Sequence, residues 1–213
     1  VTANGDDGIK IDEGGNNTLN VNNSSLANNI GDGLDINSND NSINLFGVTS
    51  SSNTENGLEI DGNRNALAIA DSNFAGNGED GIKIDEGGNN SLSVNNTTLA
   101  NNIGDGLDIF SSYNNVNLYD TGVNANGNDG LAVNGNFNFI NASNSVFTKN
   151  FGDGFDVNAD DNIVSLLGVT SSSNTEDGLE IDGDRNIFTI VNSNFVNNGG
   201  LPIADQGFGN SVN

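Results

Sequence analysis

The sequence predicts an all-β fold: a solenoid of about 8–9 coils of 24 residues, with three short parallel strands in each. Three observations carry that prediction. A glycine recurs at Gly8, Gly33, Gly57, Gly81, Gly106, Gly130, Gly154 and Gly178, at intervals of 25, 24, 24, 25, 24, 24 and 24 residues, as in a stack of repeated units. An apolar residue stands one and three positions after each of these glycines, as in Leu34/Ile36, Leu107/Ile109 and Phe155/Val157, which is the alternation of a strand with one buried face. Four residues before every one of them lies an asparagine.

Each copy then follows the same course. The first strand runs into a polar turn, such as Glu13-Gly14-Gly15-Asn16-Asn17, built from residues that favour bends. A second alternating strand is read from Leu19/Val21, Ile43/Leu45, Leu67/Ile69, Leu92/Val94, Val116/Leu118, Val164/Leu166 and Phe188/Ile190. In the sixth copy Phe137, Phe139 and Ile140 crowd this position, and the alternation reads as irregular. A short third strand has one inward residue, assigned to Leu26, Val48, Phe74, Leu99, Val123, Phe147, Val169 and Phe195. Residues 1–198 thus form a single solenoid domain and residues 199–213 a partial terminal coil and tail. Pro202 has no N–H to give to a ladder, so regular pairing is expected to fail near it. Nothing near Val1 reads as a cap, so the segment is expected to continue into further repeats or to associate end to end into filaments.

The recurring asparagines, Asn29, Asn53, Asn77, Asn102, Asn126, Asn150 and Asn174, flanked by Asn4 and Asn198, are expected to form an internal ladder. Amides stacked one strand spacing apart, about 4.8 Å, satisfy one another where water is absent. The competing reading is a surface turn residue that tolerates left-handed dihedrals. With lines of the form N-x-x-x-D-G-I-x-I, the chain resembles the right-handed parallel β-helix repeat proteins of the pectate-lyase-like superfold, from Asn4 to about Asn198. The resemblance implies right-handed crossovers and an extracellular or cell-surface setting, and specifies no activity. Longer duplications overlie the short repeat: Gly5 to Ile36 matches Gly78 to Ile109 at an offset of 73, and Gly47 to Gly62 matches Gly168 to Gly183 at an offset of 121.

Composition narrows the function classes. Twenty-nine Asp and Glu against 5 Lys and Arg give a net charge of −24, which repels nucleic acid and anionic lipid. Without Cys or His, thiolate and imidazole metal sites are excluded. No apolar run approaches the roughly 18–20 residues that cross a bilayer, so membrane insertion is not expected.

The positions two and one before the anchor glycine, and two and four after it, collect 20 of the 29 carboxylates onto one edge and one outer face. Two readings account for this: a solvated acidic face that keeps the rod soluble, or discrete sites for hard cations, calcium above all. The candidate metal ligands are Asp32/Asp35, Asp105/Asp108 and Asp153/Asp156. Charge relief is expected from Lys10 beside Asp35 and from Lys83 stacked between Glu59 and Asp108.

Glu59/Asp61 and Glu180/Asp182 have the spacing of an inverting carboxylate pair, yet every coil shares it and no copy stands out as catalytic. The threonines Thr18, Thr49, Thr97, Thr98 and Thr170 fall out of register, against an ice-binding face. Phe110, Tyr113 and Tyr119 read as an exposed aromatic group, with either a packing role or a carbohydrate-binding one. The leading expectation is a secreted or cell-surface structural rod, filament or adhesin segment with a cation-attracting face. The alternative is a polysaccharide-binding or polysaccharide-degrading protein.

Overall fold

The computed structural model describes residues 1–213, and its regular elements are all strands. Three parallel sheets run the length of the solenoid. The first stacks nine strands from Ile9–Ile11 through Leu34–Ile36 to Ala204–Asp205, and the second nine from Thr18–Asn22 to Ser211–Val212. The third stacks eight, from Ser25–Ala27 to Asn194–Val196. Pairing maps the repeat onto itself: Ile9 faces Leu34, Leu34 faces Leu58, and Ile82 faces Leu107. The inward residues of all three sheets form one continuous core from Val21 to Phe188.

The anchor glycine is dictated by space. A Cβ on Gly81 would lie 2.6 Å from the Gly106 carbonyl oxygen and 2.8 Å from Asn102 Nδ2, closer than any side chain tolerates. Three corners per coil are turned by residues with positive φ, which explains the richness in Asn, Asp and Gly. The corner between first and second strands is the column Asn16, Asp40, Arg64, Asn89, Tyr113, Phe137, Asp161, Arg185 and Gly209. Tyr113 (φ 64°) and Phe137 (φ 56°) are the aromatic members, and the left-handed conformation costs such a residue about 1–2 kcal/mol.

Several expectations are corrected. In two coils the inward residue of the third strand is serine: Ser50 pairs between Leu26 and Phe74, and Ser171 between Phe147 and Phe195. Val48 and Val169 are buried two residues earlier, before the strand begins, so they keep apolar volume in the core. The Ser50 hydroxyl donates to the Gly57 carbonyl at 2.8 Å and accepts from Asn53 Nδ2 at 3.1 Å. The sixth copy is regular, with strand Phe139–Ser143 burying Ile140 and Ala142.

Pairing does lapse beside Pro202, where Leu179 and Ile203 are not paired, but it resumes through Ala204–Asp205 and Ser211–Val212. Pro202 holds the anchor position of the ninth coil. The N–H there points forward in every other coil, as in Gly154 to the Asp177 carbonyl, so proline removes no bond to the preceding coil, where Gly178 still donates to the Leu201 carbonyl at 2.8 Å.

Candidate functional site

The predicted amide ladder is present in full. Asn102 accepts at Oδ1 from the backbone N–H and Nδ2 of Asn77, at 3.1 and 3.0 Å, and its own Nδ2 donates to Asn126 Oδ1 at 3.0 Å and to the Phe74 carbonyl at 3.3 Å. The same pattern links Asn29, Asn53, Asn77, Asn126, Asn150 and Asn174, all buried.

A second ladder escaped the sequence reading. Asn17, Asn41, Asn65, Asn90, Asn114, Asn138, Asn162, Asn186 and Asn210 link successive coils, each side-chain oxygen accepting the backbone N–H of its counterpart one coil earlier. Its signal lay in the same period, in a stretch read as a plain polar turn.

The aspartates before the anchor glycines form a third ladder of opposite sense. Asp7 accepts from the N–H of Asp32 at 2.8 Å, Asp32 from Asn56 at 2.7 Å, Asp80 from Asp105 at 2.6 Å, Asp105 from Asp129 at 2.7 Å and Asp129 from Asp153 at 2.6 Å. Asp153 serves Asp177 in the same way. The exception in the sequence, Asn56, fills its rung without charge, accepting from Asp80 at 3.0 Å.

Asp32, Asp80, Asp105, Asp129 and Asp153 are buried, and burial pushes their carboxyls up, to about 6 in Asp80 and Asp129 and about 8 in Asp105. Burial and the neighbouring charge likewise raise Asp32, to about 7, and Glu59, to about 9, whose carboxylate oxygens lie within 4.8 Å of one another. Much of the acidic edge is therefore backbone wiring.

Asp32 and Asp35 come together with Glu59, carboxylate oxygens within 4.8 Å of one another, and Asp105 and Asp108 do so with Asp80. Asp153 is grouped instead with Asp177 and Glu180, and Asp156 lies outside that cluster. Asp35 and Asp108 point outward on their strands yet are 4% and 8% exposed, because side chains from adjoining coils close over the narrow three-residue face. Lys10 Nζ donates to Asp35 Oδ2 at 2.6 Å and Asn37 Nδ2 reaches the same oxygen at 3.0 Å, which leaves Asp35 Oδ1 buried without a partner. Lys83 faces both Glu59 and Asp108 in register, but its ammonium goes to Asp85 at 3.0 Å and Glu59 at 3.9 Å, while Asp108 accepts from Asn134.

The Asn16-to-Gly209 corner carries its own pairings. Arg64 grips Asp40 with two bonds of 2.7 and 2.8 Å, Arg185 grips Asp161 with two of 2.8 and 2.7 Å, and Tyr113 stacks on Phe137 with centroids 5.1 Å apart. Beside the stack lies a shallow open cleft of about 620 Å³, lined by Phe110 and Tyr113 with Asn63, Asp85, Glu86 and Asn89 around them. Tyr119 stands apart, on the outer face of the second sheet.

Against known proteins, the family model described as "Right handed beta helix region" matches residues 7–168 and again 56–213. Among solved structures the chain is similar to pectate lyase Pel9A, at 13% identity and a TM-score of 0.49, over 96% of this chain and 68% of that one. No curated protein matches.

Proposed function

Because the chain belongs to the right-handed β-helix family, we propose that it serves as a structural rod of the cell exterior, whose acidic edge holds divalent cations and whose ends stack on further coils. One observation carries this reading: the carboxylates of the edge act as coil-to-coil acceptors in almost every repeat. The arrangement, moreover, recurs 121 residues on, where Asp153 and Glu180 converge as Asp32 and Glu59 do and burial raises Asp153 as it raises Asp32, so no single pair is set aside for catalysis.

The residues fit a hard cation best at Asp32, Asp35 and Glu59. Three carboxylates converge there, and Asp35 Oδ1, buried without a hydrogen-bond partner, would become a ligand. A calcium ion there would supply positive charge where Asp32 and Glu59 otherwise retain a proton.

End stacking is supported by the ladders. Asn4 Oδ1 accepts no donor and the Asn198 N–H finds no acceptor, so the terminal rungs are complementary to a further coil, whether covalently continuous or from a second copy. Light scattering and electron microscopy with calcium and with chelator test this. Head-to-tail filaments favoured by calcium are expected, and a compact monomer in both conditions would overturn the assembly reading. A second reading, polysaccharide binding, is favoured by the aromatic cleft beside Tyr113.

A further inference from the structure

The internal duplication compares the cleft with its own counterpart. At an offset of 73, Phe110-Ser111-Ser112-Tyr113 corresponds to Asn37-Ser38-Asn39-Asp40, and the turn and the strand after it stay alike through Leu45 and Leu118. The two replacements that change character, Asn37 to Phe110 and Asp40 to Tyr113, place the two aromatic rings that line the cleft. Neither ring is core: Phe110 is 57% and Tyr113 59% exposed. Tyr113 holds a left-handed backbone where the four preceding coils use Asn16, Asp40, Arg64 and Asn89, and its ring stacks on Phe137 at 5.1 Å. A strained, solvent-facing aromatic pair contributes little to folding and much to a surface that must stack on something.

The rest of the lining defines that partner. Asn63, Asn89 and Ser112 offer donors and acceptors suited to hydroxyls, while the buried Ser111 hydroxyl is held by the Gly87 carbonyl and Asn114 Nδ2. Glu86 is exposed and makes no ion pair, Asp85 shares its charge with Lys83, and no Lys or Arg lines the cleft. An anionic sugar would meet only repulsion here. An ammonium group gains from both the carboxylate and the ring faces.

Resting on the polysaccharide-binding reading and sharpening it, we propose that the Phe110–Tyr113 cleft binds a cationic saccharide, a hexosamine unit with a free amine. The ring face of the sugar stacks on Tyr113 or Phe110, its hydroxyls reach Asn63, Asn89 and Ser112, and its ammonium faces Glu86.

Calorimetric titration with a glucosamine tetramer, its fully N-acetylated counterpart and a lysine tetrapeptide tests the proposal. Variants are Phe110→Asn with Tyr113→Asn, and Glu86→Gln. The asparagines suit the corner backbone and leave the net charge unchanged, so a thermal melt should show an intact fold and any diffuse attraction to the acidic rod should survive. The free-amine tetramer is expected to bind at least about 10-fold more tightly than the acetylated one, and to lose about 10-fold in the double variant. Glu86→Gln is expected to weaken the amine tetramer several-fold and leave the acetylated one unaffected. Equal binding of the two tetramers would overturn the cationic assignment while leaving polysaccharide binding in place, and binding of neither would overturn both. Undiminished binding in the double variant, or equally variant-sensitive binding of the lysine peptide, would also refute the proposal.

Discussion

Replacing Asn102 by alanine deletes a rung from the middle of the first amide ladder, and the consequence can be worked out bond by bond. Two accepted bonds and two donated ones disappear. Asn126 Oδ1 keeps the backbone N–H of residue 102, at 3.2 Å, so the damage falls on the preceding coil. There the Asn77 N–H loses its acceptor, and Asn77 Nδ2 retains only a long contact of 3.4 Å to the Ser50 carbonyl. One orphaned buried N–H costs about 1–3 kcal/mol, and the other lost bonds contribute about 1 kcal/mol each before relaxation or an entering water offsets part of it. A net loss of about 3 kcal/mol is expected.

Urea denaturation measures it as a lower midpoint, provided the slope is unchanged. Amide exchange should accelerate first in the coils around Asn77 and Asn102, since each coil is stabilised mainly by its neighbours. A change below about 0.5 kcal/mol, or exchange quickening equally everywhere, would refute the argument that the ladder holds the coils together.

Two further outcomes follow from the carboxylate ladder. Carboxyls raised from 3.8 to about 6 in Asp80 and Asp129, about 7 in Asp156 and about 8 in Asp105 mean that the folded chain keeps protons the unfolded chain releases. Their contribution is whole below about pH 4 and is lost as pH rises through 6 to 8, so without divalent cations the melting midpoint should be higher near pH 5 than near pH 8, and the reverse order would contradict the burial argument. Asp105→Asn, which keeps the acceptor as Asn56 does naturally, should stabilise the protein near pH 8 by on the order of 1–2 kcal/mol, while Asp105→Ala destabilises it by orphaning the Asp129 N–H. Equal effects of the two substitutions, read by urea titration, would show that the rung is idle.

The solenoid was legible because its causes are local and repeated. A glycine excluded from bearing a Cβ, an alternating strand and an asparagine at fixed distance recur in every coil. Asn41 and its counterparts were equally periodic and went unread, because an asparagine in a glycine-rich turn needs no ladder to explain it. The period-two pattern showed which way Asp35 and Asp108 point, but what lies over them depends on Lys10, Asn37 and Asn134 in three dimensions. The valine-for-serine shift at Val48 and Ser50 misled for a related reason: hydrophobicity alone assigns the inward position to valine, while the buried serine is supported by the Gly57 carbonyl and the Asn53 amide. In the cleft, Phe110 and Tyr113 were visible as aromatics, and only the turn geometry separates them from Tyr119.

Thermal melting against calcium concentration at about pH 8 tests most directly the proposal that cations relieve the acidic edge. Binding to the folded state alone raises the midpoint by mass action. The midpoint is predicted to climb with calcium and to climb less near pH 5, where protons occupy the edge. It should climb markedly less in the Asp32→Asn, Glu59→Gln double variant, which keeps the ladder acceptor but removes two carboxyl ligands from the cluster. A midpoint indifferent to calcium at pH 8, or one that rises equally in the double variant, would contradict it.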